Sequence, residues 1–137
     1  MIEVQVFKAS FSDYNLKEFQ ATISALIEDQ NKEEGELSLV FCSDDYLLEV
    51  NKKHLNHDYY TDIITFDYSE ENKISGDLLI SIDRVKENAK TFSVSFMHEL
   101  NRVVIHGVLH LCGYKDKTEE EKKQMRNLEN KYLKTIF

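Results

Sequence analysis

Residues 2–7 (IEVQVF) alternate apolar and polar, the period of two that a half-buried strand requires. The period then lengthens. Leu16, Phe19, Ile23, Leu26 and Ile27 recur at helical steps, which predicts an amphipathic helix over about 15–30. Asn15 and Glu18 stand at capping-box spacing at its start. KEEGE (32–36) reads as a charged turn, and ELSLVFC (36–42) as a second strand with β-preferring residues at alternate positions. Ser43 or Asp44 can cap a helix carrying Leu47, Leu48, Val50 and Leu55. TDIITFDY (61–68) and DLLISI (77–82) are two further strands, separated by the polar loop SEENKISG (69–76). The rest reads as helix: 84–91 behind Asp83, then a long helix from Ser93 or Ser95 to about Leu111, with Gly113 placed as its C′ residue. Thr118 and Glu121 form another capping box, opening a last helix with Met125, Leu128, Tyr132 and Ile136 inward. No repeat, low-complexity stretch or linker interrupts the pattern. It predicts one α+β domain over 1–137, with about four strands in one sheet and helices packed on it.

One helix breaks the rule that separates core from surface. Val103–Cys112 reads VVIHGVLHLC, apolar all round except for His106 and His110. A helix of that kind is buried, so two imidazoles are expected inside the core. Four residues apart is about 40° round the axis and one turn along it, so both rings can point at one spot, as in helix-borne zinc sites. A third ligand is needed. Gly113, seven residues after His106, can end the helix in a positive-φ turn and let the chain fold back to bring in Asp116. The spacing H-x3-H-x2-G-x2-D is the metzincin layout with Asp in the third place, and carboxylate oxygen is an acceptable zinc ligand.

Neighbouring residues are assigned plainer roles. Cys112 points about 200° away from His110 and is read, like Cys42, as a buried structural thiol. Glu99 lies too far along the axis to ligate and is expected to pair with Arg102 at i+3. His98 is read as a surface residue. Where HExxH has its general base this chain has Gly107, which removes the usual peptidase base and is expected to leave space beside the metal.

Composition narrows the class. The 137 residues suit one domain, and two cysteines make no disulfide framework but fit a reducing cytosol. No apolar run approaches the ~18 residues of a membrane span, and MIEVQVFK lacks the features of a signal peptide. A soluble cytoplasmic protein is expected. The formal charge of −8 argues at first against nucleic acid. It is uneven, however: residues 1–68 hold five basic and 14 acidic side chains, and residues 69–137 hold 12 and 11. The histidine-bearing half is close to neutral.

HGVLHLCGY (106–114) resembles the signature of the YbeY family of single-domain zinc endoribonucleases, HGxLHLxGYDH. The resemblance continues through SDDYLLEVN (43–51), TDIITF (61–66), GDLLI (76–80) and HELNRVVIHG (98–107), in the family's order. It implies a small mixed sheet with the zinc helix lying across it. It implies cleavage of single-stranded RNA in maturation of small-subunit ribosomal RNA, particularly its 3-prime end, and in ribosome quality control. His106 and His110 match the first two family zinc ligands. The third, a His, falls at Asp116, and the Asp before it falls at Lys115. An Arg that the family carries ahead of the TDIITF block falls at Leu55, where Lys52, Lys53, His54 and His57 are the nearby candidates for a phosphate contact.

The expected chemistry is metal-assisted hydrolysis at a Zn2+ held by His106, His110 and Asp116. No side chain announces itself as general base, and the nucleophile is either water or a ribose 2′-hydroxyl. Tyr114, Asp62 and Asp77 can line the cleft as ordinary structural residues. Two other classes stand beside the endoribonuclease: a non-catalytic ribosome assembly factor with a structural metal, and a metallopeptidase, which Gly107 disfavours. The acidity predicts weak, salt-dependent affinity for free RNA, with the ribosomal particle or a protein partner bringing the substrate in.

Overall fold

Strand forms where the period is two and helix where it is 3.6, in the order β1 (Ile2–Phe7), α1 (Leu16–Asp29), β2 (Glu33–Cys42), α2 (Asp44–Leu55), β3 (Ile63–Asp67), β4 (Lys73–Ser81), α3 (Ile82–Phe92), α4 (Phe96–Leu111) and α5 (Glu119–Thr135). The computed structural model describes residues 1–7, 9 and 16–135. The expected cap at Asn15 and the inward Ile136 lie outside them.

The four strands make one mixed sheet in the order β1-β2-β4-β3. β1 runs parallel to β2, and β2 to β4, while β3 is antiparallel to β4 at the edge. Each parallel pair needs a crossover, supplied by α1 for the first and by α2 with β3 for the second. Alternation along β2 separates the two faces. Leu37, Leu39 and Phe41 enter the main core with α1, α3, α4 and α5, whereas Val40 and Cys42 pack with Leu47 and Val50 of α2 and with Ile64. α4 lies across β3 and β4 and touches α1, α3 and α5 as well, so five other elements contribute to its burial. Ile105, Val108 and Leu109 are fully covered.

Three boundaries differ from the sequence pattern. β2 begins at Glu33, inside the supposed charged turn, where its ladder with β4 is irregular between Glu34 and Leu37 and Gly35 lets the strands close up: a Cβ there would sit 2.2 Å from Ser75 Oγ. β4 likewise begins at Lys73 inside the supposed loop, leaving a short turn with Glu71 at φ 53°. The cap of α3 is Ser81, whose hydroxyl accepts from Arg84 N at 3.1 Å. Asp83, the expected cap, instead accepts from the Asp44 backbone N–H at 2.9 Å and serves the first turn of α2. Ser95 caps α4 and Ser93 ends α3 at φ 55°, so both serines act, at opposite helix ends.

Candidate metal centre

α4 ends as its sequence requires. Gly113 adopts φ +107°, its N–H reaches His110 O at 3.0 Å, and the Tyr114 N–H reaches Leu109 O at 3.1 Å. This paired closure is a Schellman turn, which reverses the chain immediately after the last histidine. The Thr118–Glu121 capping box then forms in both directions, at 3.1 and 2.9 Å, and starts α5 back along α4. Asp116 lies between the two and is carried over the His106–His110 face.

The three side chains converge. His106 Nε2 and His110 Nε2 are 3.0 Å apart, and Asp116 Oδ2 lies 3.3 Å from the first and 3.4 Å from the second. A tetrahedral ion bonded to N and O at ~2.0–2.1 Å separates its ligand atoms by about 3.3–3.4 Å, so the triangle has the size of such a site. The outer ring atoms are already engaged. His106 Nδ1 is 2.7 Å from Glu129 Oε2, and His110 Nδ1 is 2.9 Å from Tyr114 O. Both partners are acceptors, so each imidazole carries its proton on Nδ1 and leaves an Nε2 lone pair facing inward. Two lone pairs and a carboxylate oxygen meeting within this distance, with no donor among them, repel one another unless a cation lies between. The donor set therefore fits a divalent metal, and among the described residues it is the one such group.

Behind His106 stands a chain of buried charge. Glu129 accepts from Arg102 Nη1 at 3.0 Å, and Arg102 donates through Nε and Nη2 to Glu99 at 2.9 and 2.6 Å. Glu99 and Glu129 are 1% and 2% exposed. Burial alone would raise the Glu129 carboxyl, but the hydrogen bond from His106 and the Arg102 charge outweigh it and hold it below its ordinary value. The Glu99–Arg102 pair is as expected from the i+3 spacing. Glu129 belongs to no sequence motif, although its place between Met125 and Tyr132 in the inward stripe of α5 is a detectable signal.

The triad opens into a cavity of about 450 Å³ lined also by Thr61, Asp62, Ile63, Thr65 and Asp67 of the β3 edge. Asp62 thus does reach the cleft. Burial pushes its carboxyl up, opposed by Arg102 and His106. Asp77 does not line this cavity, and Tyr114 contributes its carbonyl while its hydroxyl donates to Gln30 at 2.8 Å. His98 is exposed, as expected. Gly107 differs from expectation. A Cβ there would meet Ile63 Cδ1 at 2.7 Å and Leu78 Cδ2 at 3.0 Å, so the missing side chain lets α4 approach the sheet and does not leave room beside the metal. Neither cysteine joins the site: burial pushes Cys42 up to about 12 and Cys112 up to about 11, far from the thiolate that ligation needs. Leu55, at the position of the family Arg, closes α2 with no charge, and Lys52 pairs with Asp58 at 3.4 Å.

A mixed four-stranded sheet crossed by a helix that presents two histidines, with a carboxylate folded back onto them and one side open, defines an α+β domain with a group that could hold a metal ion. The sequence model described as Endoribonuclease YbeY matches residues 2–136. The chain belongs to that family, and so to the enzymes that hydrolyse phosphodiester bonds within RNA. The Endoribonuclease YbeY of Flavobacterium psychrophilum is 54% identical over 112 residues, covering 82% of this chain and 80% of the relative. That of Phocaeicola vulgatus is 48% identical over 136 residues, or 99% of both. The solution structure of TM1509 from Thermotoga maritima superposes with a TM-score of 0.74 at 27% identity, covering 99% of this chain and 89% of that one.

Proposed function

We propose that this chain is a zinc-dependent endoribonuclease for single-stranded RNA, acting in the cytoplasm on small-subunit ribosomal RNA at its 3-prime end and in ribosome quality control, with His106, His110 and Asp116 as the zinc ligands. The observation that carries the reading is the inward convergence of three acceptors whose outer partners already fix the tautomer of both imidazoles. Bound there, the ion would supply a Lewis acid that neutralises phosphate charge and lowers the pKa of water towards neutrality. The chain's own residues do the rest. Glu129 and the Tyr114 carbonyl hold the two rings in place, and the β3 edge supplies hydroxyls (Thr61, Thr65) and carboxylates (Asp62, Asp67) that can orient a water or a ribose hydroxyl along the cavity wall.

Three protein donors and an adjoining cavity favour this over a structural metal, which takes a closed set of four. Metal content measured alongside RNA cleavage by wild type and His110→Ala is the test. Loss of both metal and cleavage in the variant is expected, and equal cleavage by the two proteins rejects a catalytic metal here. Analysis of product ends then identifies the nucleophile: a 5′-phosphate reports attack by water, whereas a cyclic phosphate reports attack by the ribose 2′-hydroxyl.

A further inference from the structure

Residues 52–60 (KKHLNHDYY), from the last turn of α2 into the connection to β3, form a run of nine exposed positions. Of the seven large hydrophobic side chains exposed among the described residues, Leu55, Tyr59 and Tyr60 lie in this run. Exposed aromatics grouped in this way lose burial energy and mark an interaction surface.

The rings are held in order rather than left loose. His57 and Tyr59 stack with centroids 5.1 Å apart and 22° between planes, and the Tyr59 hydroxyl meets His57 Nδ1 at 2.9 Å. The backbone is pinned from within the core, where Asn51, 2% exposed, donates its Nδ2 to Tyr59 O at 2.9 Å. Tyr60 donates to Asp45 Oδ1 at 3.2 Å, and the Arg84 guanidinium lies 5.3 Å over its ring. Even so, Tyr59 remains 55% exposed and Tyr60 47%. The next two residues, Thr61 and Asp62, are already walls of the metal-side cavity. Lys52, Lys53 and His54 occupy the last turn of α2, and Lys52 reaches Asp58, the residue before Tyr59, at 3.4 Å.

We propose that Tyr59 and Tyr60, flanked by His57 and Lys52, form a base-stacking platform that receives a single strand of RNA and feeds it into the cavity along β3. The ligand class rests on the endoribonuclease reading. The stacking geometry rests on this chain's own rings. Flat aromatics beside cations hold unpaired bases without regard to sequence, and a duplex keeps its base faces inaccessible to them. An aromatic contact of this kind, removed by alanine, weakens binding by about fivefold or more per base.

The chain has no tryptophan, so Tyr59→Trp places a sole indole on the platform. Its fluorescence is expected to quench on adding a short single-stranded oligoribonucleotide at low salt, and to respond little to a duplex of the same length or to inorganic polyphosphate. In parallel, Tyr59→Ala and Tyr60→Ala are expected to weaken single-strand binding about fivefold or more each, with circular dichroism matching wild type. Equal responses to single strand, duplex and polyphosphate, unchanged binding by both alanine variants, or no single-strand binding by wild type would each overturn the platform. Cleavage is read separately. Wild type that binds through the tyrosines but cuts nothing sinks the endoribonuclease reading and leaves the platform standing. Wild type that cuts RNA while the alanine variants bind and cut as well as it does sinks the platform alone.

Discussion

Glu129 is a carboxylate that water barely reaches, hydrogen-bonded on one side to His106 and on the other to Arg102. Its effect on the site is indirect: it selects the His106 tautomer and fixes the orientation of the ring. Glu129→Gln keeps the shape and removes the charge. Zinc affinity, measured by competition with a chromogenic chelator, is expected to fall about 10–100-fold. An unchanged affinity would show that His106 needs no orienting partner. In the proposed site Asp116 would act directly, as a ligand, with Oδ2 at 3.3 and 3.4 Å from the two Nε2 atoms. Asp116→Ala is therefore expected to lower zinc content, and Asp116→His to restore or tighten it by returning a nitrogen donor to the same turn. Full zinc occupancy in Asp116→Ala would place the third ligand elsewhere. His57 is a poor replacement, since it lies stacked on Tyr59 and outside the cavity wall.

At the scale of elements, the site depends on how α4 stops. Gly113 at φ +107° makes the reversal, and the same two residues of turn deliver the Tyr114 carbonyl to His110 and set up Asp116. Nothing lies within 4 Å of an added Cβ, so Gly113→Ala tests the backbone alone. The left-handed region costs a non-glycine L-residue about 1–2 kcal/mol. Thermal denaturation should register that loss, and zinc affinity should fall with it, more than in Gly113→Asn, which tolerates the conformation better. If Gly113→Ala keeps both stability and affinity, the turn is not what shapes the site. This turn was legible in the sequence because helix, glycine and capping box are local signals. So were the two histidines, misplaced in an apolar helix. What local pattern did not reveal was set by partners far along the chain. Glu33–Gly35 and Lys73–Gly76 look like loop until the ladder between β2 and β4 pairs them. Asp83 looks like the cap of its own helix but satisfies the first turn of α2. Gly107 looks like room for a ligand until Ile63 and Leu78 are found filling the space beside it. Glu129 needed the packing of α5 on α4 to become a partner of His106.

For the whole molecule the question is how a chain of net charge −8 engages a polyanion. The cavity sharpens the problem, because Asp62, Asp67 and Asp116 all line it and, among the described residues, its only basic side chains are the two histidines. Without a cation this wall repels phosphate. A divalent ion at the triad would be the largest positive charge in the cavity, one that no count of side chains includes. The other attractive charges lie outside it: Lys122 and Arg126 line a neighbouring hollow that shares His106 and Asp116, and Lys52 is already shared with Asp58. Few phosphates can be neutralised in this way, and each contributes to the salt dependence. Affinity for free single-stranded RNA is therefore expected to be weak, to drop on the order of tenfold between about 50 and 200 mM monovalent salt, and to fall further when the metal is stripped by a chelator and recover when zinc is returned. Fluorescence anisotropy of a labelled oligoribonucleotide measures all three. Tight binding that ignores both salt and chelation would mean that the contacts are neither ionic nor centred on the triad. Weak binding with this dependence leaves the ribosomal particle, or a protein on it, to raise the local concentration of RNA at a cavity that has little long-range attraction of its own.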